Sequence, residues 1–154
     1  MKKKQIAVGV AVVLGLGGIV YAQQSEFQEK IQEDLDGYKN QIIDNCGSPK
    51  SLTLKWNGKL AVNPRESEKP EYNAVSTLCT SALEGTVNAC QSNKPVKAAV
   101  GKATSIVCTA GKGTIGYKLA GTTLTFTVDP SFTKNNAAGQ RDDLVVKMKK
   151  EIDK

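Results

Sequence analysis

The chain has 154 residues, of which 40% are hydrophobic, 23% are charged and only 5% are aromatic, and its formal net charge is +6. This length fits one domain, and the composition excludes a disordered, collagen-like or multi-span membrane chain. Histidine is absent, which excludes hydrolytic triads, histidine acid–base catalysis and imidazole metal sites. The sequence therefore predicts a small globular domain with few routes to catalysis.

The first 22 residues have the layout of a secretory signal peptide. Basic residues 2–4 precede an uncharged apolar run over residues 6–21, and the pattern Val20-Tyr21-Ala22 resembles a cleavage site. Cleavage after Ala22 would leave residues 23–154 as one domain with 18 basic and 15 acidic side chains, a net charge of +3. The alternative is an uncleaved anchor, although the run is shorter than the roughly 20 residues that a spanning helix needs.

Charge is distributed unevenly along the chain. Residues 85–128 contain five lysines and no acidic residue, whereas residues 25–45 contain six acidic residues and two lysines. We therefore expect a dipolar molecule. A net charge of +3 gives only weak general attraction to polyanions, so nucleic acid is not expected as a partner.

Four cysteines, an even number behind an export signal, predict two disulfides and a periplasmic or extracellular location. They are Cys46, Cys79, Cys90 and Cys108. The sequence contains no Cys-x-x-Cys pair, so neither thioredoxin-like redox chemistry nor a zinc site is expected. No cofactor or metal is predicted.

The predicted helices restrict how these cysteines pair. Cys79 and Cys90 would lie about 16 Å apart along one helix, while bridged Cα atoms lie about 4.4–6.8 Å apart. A strand that runs back beneath this helix would bring Cys108 beside Cys79. The predicted pairs are Cys79–Cys108 and Cys46–Cys90, and the alternative is Cys46–Cys79 with Cys90–Cys108.

The first predicted element of the domain is an amphipathic helix over residues 26–44. Ser25 is its predicted N-cap, and Gln28 completes a capping box. Apolar residues at helical spacing define its buried face: Phe27, Ile31, Leu35, Tyr38 and Ile42.

A β-hairpin is the next predicted element. Leu52 and Leu54 alternate before Asn57-Gly58, a strong turn signal, and Leu60 and Val62 alternate after it. A loop over residues 56–58 pairs Leu54 with Leu60 and places all four leucine and valine side chains on one face. Trp56 would then lie in the loop, either as a lid over the core or as an exposed contact residue.

The second predicted helix spans residues 72–91. It follows a charged loop over residues 63–71, in which Pro70 suits a first helical turn. Gly85 is its weakest position, and Asn93-Lys94-Pro95 is predicted to end it.

From Lys102 the alternation predicts a three-stranded antiparallel meander with turns at Gly111-Lys112 and Ala120-Gly121. This register pairs Cys108 with Ile115 and Tyr117 with Leu124. All the apolar strand residues then share one face, and the opposite face is rich in threonine. A short helix from about Asp142 completes an α+β domain in which the helices pack on one face of the sheet.

None of the candidate motifs indicates catalysis. Gly113, and not Ser or Thr, follows Gly111-Lys112, so a phosphate-binding loop is excluded. The acidic pairs Asp142/Asp143 and Glu66/Glu68 are predicted to be solvated, and no helical Ser-x-x-Lys is present. We therefore predict that the chain is not an enzyme.

A binding surface is the remaining candidate. The threonine-rich face, with Lys118 at its centre, suits an acidic or polysaccharide partner, and its alternative interpretation is plain solvated sheet. The candidate residues are Lys102, Lys112, Lys118, Thr123, Thr125 and Trp56. The predicted function is an exported interaction domain for a protein or cell-envelope partner, for example an inhibitor of a secreted hydrolase. The alternative is an assembly subunit that an uncleaved N-terminus holds at the membrane.

Overall fold

The fold is mixed α+β and contains one four-stranded sheet, so the predicted class is confirmed. A computed structural model describes residues 18–153, with side chains from Glu26 onward. The predicted signal peptide lies largely outside the described residues.

The first helix, α1, spans Gly18–Cys46. The prediction that it begins at Ser25 is wrong, because glutamine and serine are tolerated inside a helix and the polar residues 23–25 do not interrupt it. The predicted buried face is correct, and Leu35 and Ile42 are fully buried. Gly47 follows the helix with a φ of +81°, as in a common glycine C-cap.

The predicted hairpin around Asn57 is wrong. Strand β1 spans Thr53–Trp56 and pairs in parallel with β2, Ser105–Ala110. Asn57 explains the difference, because its N–H donates to the Cys108 carbonyl (3.0 Å) and its Oδ1 accepts from the Ala110 N–H (2.7 Å). The chain therefore continues along β2 where the turn signal predicts that it reverses.

Helical structure extends further than predicted over residues 64–92. The elements are α2 (Pro64–Ser67), α3 (Pro70–Asn73), a π-helix (Ala74–Cys79) and α4 (Thr80–Ser92). Pro70 occupies the first turn of α3, as predicted. Gly85 does not break α4. The C-terminal helix packs closely against this position, where an added Cβ would lie 2.8 Å from Arg141 Cγ.

A further helix, α5, spans Lys94–Val100, where a connection is predicted. Asn93 ends α4 but also caps α5, since its Oδ1 accepts from the Val96 N–H at 2.9 Å. Pro95 occupies the first turn, where its missing N–H costs nothing. Asn93-Lys94-Pro95 thus ends one helix, α4, and begins the next, α5.

The predicted meander is also wrong. Strands β3 (Gly116–Ala120) and β4 (Thr123–Val128) form a hairpin, but β4 lies between β2 and β3, and the sheet order is β1-β2-β4-β3. β4 is parallel to β2 and antiparallel to β3. Tyr117 therefore lies opposite Phe126, in place of the predicted partner Leu124.

The two faces of the sheet are nevertheless those that the alternation predicts. A shift of two residues in register, or an inserted strand, leaves each side chain on its own face. Ile106, Leu124 and Phe126 are buried on the inner face, against which the π-helix and the C-terminal helix pack. This last helix, α6, spans Ala137–Ile152 and begins earlier than predicted, at a cap formed by Asn136.

Two disulfides tie the helices to each other and to the sheet. Cys46–Cys90 joins the end of α1 to α4 with a Cα–Cα distance of 5.3 Å. Cys79–Cys108 joins the π-helix to β2 with a Cα–Cα distance of 5.9 Å. These are the pairs that the helix geometry predicts, and two disulfides favour an oxidising compartment.

Candidate functional site

Three parallel strands end at the same edge of the sheet. β1, β2 and β4 run in one direction, so the residues that follow Trp56, Ala110 and Val128 lie close together. In open sheets with parallel strands, ligands commonly bind outside these carboxyl ends, where the order of strands changes. We call this region the carboxyl edge.

A buried carboxylate organises the loop between β4 and α6, residues 129–136, which we call the edge loop. Asp129 has no exposed surface. Its Oδ1 accepts from the N–H (3.2 Å) and Oγ (2.6 Å) of Ser131, and its Oδ2 accepts from Thr133 Oγ1 (2.5 Å) and the Lys134 N–H (3.2 Å). Burial raises the pKa of the Asp129 carboxyl, but its hydrogen bonds outweigh burial and hold this pKa well below its ordinary value.

Gln140 fixes the same loop from α6. Its side chain is buried, its Oε1 accepts from the Asp129 N–H at 2.8 Å, and its Nε2 donates to the Asp129 carbonyl at 2.9 Å. The same Nε2 also donates to the Asn135 carbonyl at 2.8 Å. The edge loop is also held from the helix Pro70–Asn73, because Asn73 Nδ2 donates to the Pro130 carbonyl at 2.9 Å. The backbone of the loop is therefore fixed by polar contacts on two sides.

Phe132 is the residue that this fixed loop presents. Its φ is +54°, in the left-handed region that a bulky residue rarely adopts, and its side chain is 39% exposed. Such a conformation costs about 1–3 kcal/mol and persists only where the surrounding structure imposes it. The hydrogen bonds of Asp129 and Gln140 supply that constraint. The protein therefore holds an aromatic ring at its surface at a cost in stability.

The loop between β2 and β3 crosses the end of β4. Gly111 N–H donates to the Val128 carbonyl at 2.8 Å, which holds this crossing against the last residue of the strand. Lys112 lies exposed at its tip. An added Cβ at Gly113 would lie 4.0 Å from Lys134 Cε, so this loop borders the edge loop.

Exposed lysines lie on both of the loops that meet at the carboxyl edge. Lys112 and Lys134 are exposed, whereas the carboxylate of Asp129 is buried and fully used by hydrogen bonds. A shallow depression beside them is lined by Gly113, Thr114, Ile115, Lys134, Asp143 and Lys147. The carboxyl edge thus presents one exposed ring and two exposed lysines, and such positive surface complements acidic groups.

The predicted site residues do not form one patch. Lys118 lies opposite Thr125 on the outer face, near Thr123, and Lys112 lies at the carboxyl edge. Lys102 precedes β2 and is exposed at the opposite end of this strand, about 17 Å from the carboxyl edge at the usual strand rise.

Trp56 lies outside the predicted loop, but it packs against the core, as its interpretation as a lid over the core predicts. It is the last residue of β1 rather than a loop residue, and it is half-buried against the core on the inner face. Its ring therefore contributes to packing, and only the residues after it belong to the carboxyl edge.

Phe132, Asp129 and Gln140 are absent from the predicted site. A local signal was present, because the order Asp129-Pro130-Ser131, followed by Thr133, is typical of a turn in which an aspartate accepts from the backbone two residues later. The distant contact from Gln140 and the positive φ of Phe132 leave no comparable trace in the sequence.

Other chemistries find no support in the part of the chain that the structure describes. No cluster of three acidic or cysteine side chains within it is arranged to hold a metal ion. Across residues 18–153, no helix has both the length and the apolar character of a membrane span. No protein family, curated protein or solved structure matches the chain.

Proposed function

We propose that this chain is an exported, non-enzymatic domain that binds an acidic protein surface through its carboxyl edge. The observation that carries this proposal is Phe132, an exposed ring on a strained backbone that a buried hydrogen-bond network holds in place. Strained residues are concentrated at binding and catalytic sites, because selection tolerates their cost where they serve a function.

The physics of interfaces supports this assignment. A few anchor residues, often aromatic, supply most of the binding energy of a protein interface, and a polar rim surrounds them. We assign the role of the anchor to Phe132 and the role of the polar rim to Lys112 and Lys134. Because the loop is already fixed before binding, little conformational entropy is lost when a partner docks. A secreted hydrolase is one class of protein that such a rigid loop would suit.

Export is the second part of the proposal. It is supported by the signal-peptide layout of residues 1–22 and by two disulfides, which form and persist in oxidising compartments.

Site-specific cross-linking in the producing cell tests the proposed site. A photo-reactive phenylalanine analogue is placed at position 132 or, as the matched control, at Val146, an exposed apolar residue on α6. We expect one discrete protein adduct from position 132 and none from position 146, with equal melting temperatures for both variants. Equal labelling from both positions, or adducts with polysaccharide alone, would contradict the proposal.

A membrane-anchored assembly subunit is the second candidate, and α1 favours it. The described part of this helix runs without interruption from Gly18, within the apolar run, to Cys46. An uncleaved run would thus enter the domain with no flexible linker between them. N-terminal sequencing of the processed protein distinguishes the candidates: a start at Gln23 supports the exported domain, whereas retention of residues 2–21 in the membrane fraction supports the anchored subunit.

A further inference from the structure

The outer face of the sheet is a second surface with an unusual distribution of charge. One row of residues crosses all four strands through direct register partners: Lys55, Val107, Thr125 and Lys118. Both lysines are exposed, at opposite edges of the sheet, and the residues between them are short. At a strand spacing of about 4.8 Å, the two lysine Cα atoms lie about 14 Å apart.

The exposed face of α1 is net acidic, because Glu26, Glu33 and Asp44 lie on it together with one lysine, Lys30. Glu33, Gly37, Asn40 and Asp44 follow one another at intervals of four, three and four residues, so they share a face that points away from the buried Leu35 and Ile42. Glu33 and Asp44 are both exposed, and their Cα atoms lie about 16 Å apart along the helix axis. This spacing is close to that of the two lysines on the sheet.

None of these four charged side chains has a partner of opposite charge within the described residues. The side chains of Glu33, Asp44, Lys55 and Lys118 form no ion pair there, whereas Asp36, at the side of the same helix, is bound by Lys39 at 2.8 Å. The two surfaces face different directions, because α1 lies on the helical side of the sheet and the four-residue row lies on the other.

Gly37 is an independent observation on the same face of α1. A glycine inside a helix is unfavourable by about 1 kcal/mol relative to alanine, and close approach of another group is one reason for such a residue. No atom of the described structure would lie within 4 Å of an added Cβ at this position. Intramolecular packing therefore does not explain this glycine, but the backbone of another molecule lying close to α1 would.

We propose that the outer face of the sheet binds α1 of a second copy of this chain. The helix lies across the strands, with Glu33 and Asp44 against Lys55 and Lys118, and with Gly37 over the short side chains of Val107 and Thr125. Because the two surfaces differ, the contact is heterologous and joins copies head to tail. This association is separate from the carboxyl edge and does not depend on the function proposed there.

Charge reversal tests this contact with the purified chain alone, because both surfaces belong to it. The sheet variant carries Lys55→Glu with Lys118→Glu, and the helix variant carries Glu33→Lys with Asp44→Lys. By sedimentation at about 0.01 M salt, where the Debye length is near 30 Å, we expect the wild type to associate with increasing concentration and to dissociate at about 1 M salt. Each variant alone should be monomeric, and an equimolar mixture should associate again, because each then meets a complementary face.

A steric variant separates association from folding. Gly37→Leu should fold with an equal or higher melting temperature, since it replaces a poor helix former, and yet sediment as a monomer at low salt. As its matched control, Asn45→Leu alters a residue outside this face and should associate as the wild type does. A monomeric wild type at low salt, unrestored association in the mixture, or association of Gly37→Leu equal to that of the wild type would each overturn the proposal.

Discussion

The helices and the edge loop are held in place by different chemistry. Cys46–Cys90 and Cys79–Cys108 join regular elements covalently, and neither bond involves a charged group. The edge loop has no covalent tie. It depends on the ionised carboxylate of Asp129 and the amide of Gln140, and in exchange it holds Phe132 in a costly conformation. The two regions should therefore fail under different conditions, the first on loss of a disulfide and the second in acid.

Removal of a disulfide should have the largest effect on stability. The two bonds close loops with sequence separations of 44 and 29 residues, and the loss of such a crosslink costs about 2–5 kcal/mol. We expect Cys79→Ala with Cys108→Ala to lower the free energy of unfolding in urea by this amount, while the carboxylate of Asp129 keeps its hydrogen bonds. A loss below about 1 kcal/mol would show that the helices and the sheet do not need this bond.

Loss of the charge on Asp129 should have an intermediate effect that is local to the edge loop. Hydrogen bonds to a charged group contribute about 1.5–3 kcal/mol, and an amide cannot accept from all the same donors. Asp129→Asn should therefore lower the free energy of unfolding by about 2 kcal/mol. The exposed Asp34 provides the control, since Asp34→Asn should leave stability unchanged.

The same carboxylate should make stability depend on pH. Its folded-state pKa is lowered, so its stabilisation is fully present above the unfolded pKa of about 3.9 and is lost as the pH falls from there towards the folded value. Urea unfolding of the wild type between about pH 5 and pH 2 should show this decline. In Asp129→Asn the decline should be smaller, and an identical slope in both proteins would show that Asp129 titrates normally.

The strain at Phe132 should give the smallest effect, but its sign is diagnostic. Glycine adopts a positive φ freely, whereas alanine pays about 1–2 kcal/mol in the left-handed region. Phe132→Gly should thus be more stable than Phe132→Ala by about 1 kcal/mol. In α1 the order should reverse at Phe27, where Phe27→Ala should be the more stable variant. The same order at both positions would remove the evidence for strain.

The sequence shows which face of the sheet each strand residue lies on, but it does not show which strands are adjacent. Alternation places Ile106 and Phe126 on the buried face correctly, because period two determines orientation whatever strand lies alongside. It cannot show that β4 lies between β2 and β3. The turn signal at Asn57 misleads because its side chain is used by the backbone of Ala110, which is 53 residues away.

The disulfide pairing could be predicted from the sequence, whereas the edge loop could not. The disulfide pairing is predictable because helix rise and strand rise restrict which cysteines can meet. The carboxyl edge is not predictable, because it exists only once three strands run parallel. Asp129 is then buried among donors from its own loop, and Gln140 approaches from another element.

Hydrogen exchange at the amides of Ser131 and Lys134 tests most directly whether the edge loop is a fixed platform. Both N–H groups donate to the carboxylate of Asp129, at 3.2 Å each. We expect both amides to be protected in the wild type and to exchange much faster in Asp129→Asn, while the amides of α4 stay protected in both proteins. Rapid exchange of both amides in the wild type would show that nothing holds the loop, and would contradict the assignment of Phe132 as a preorganised anchor.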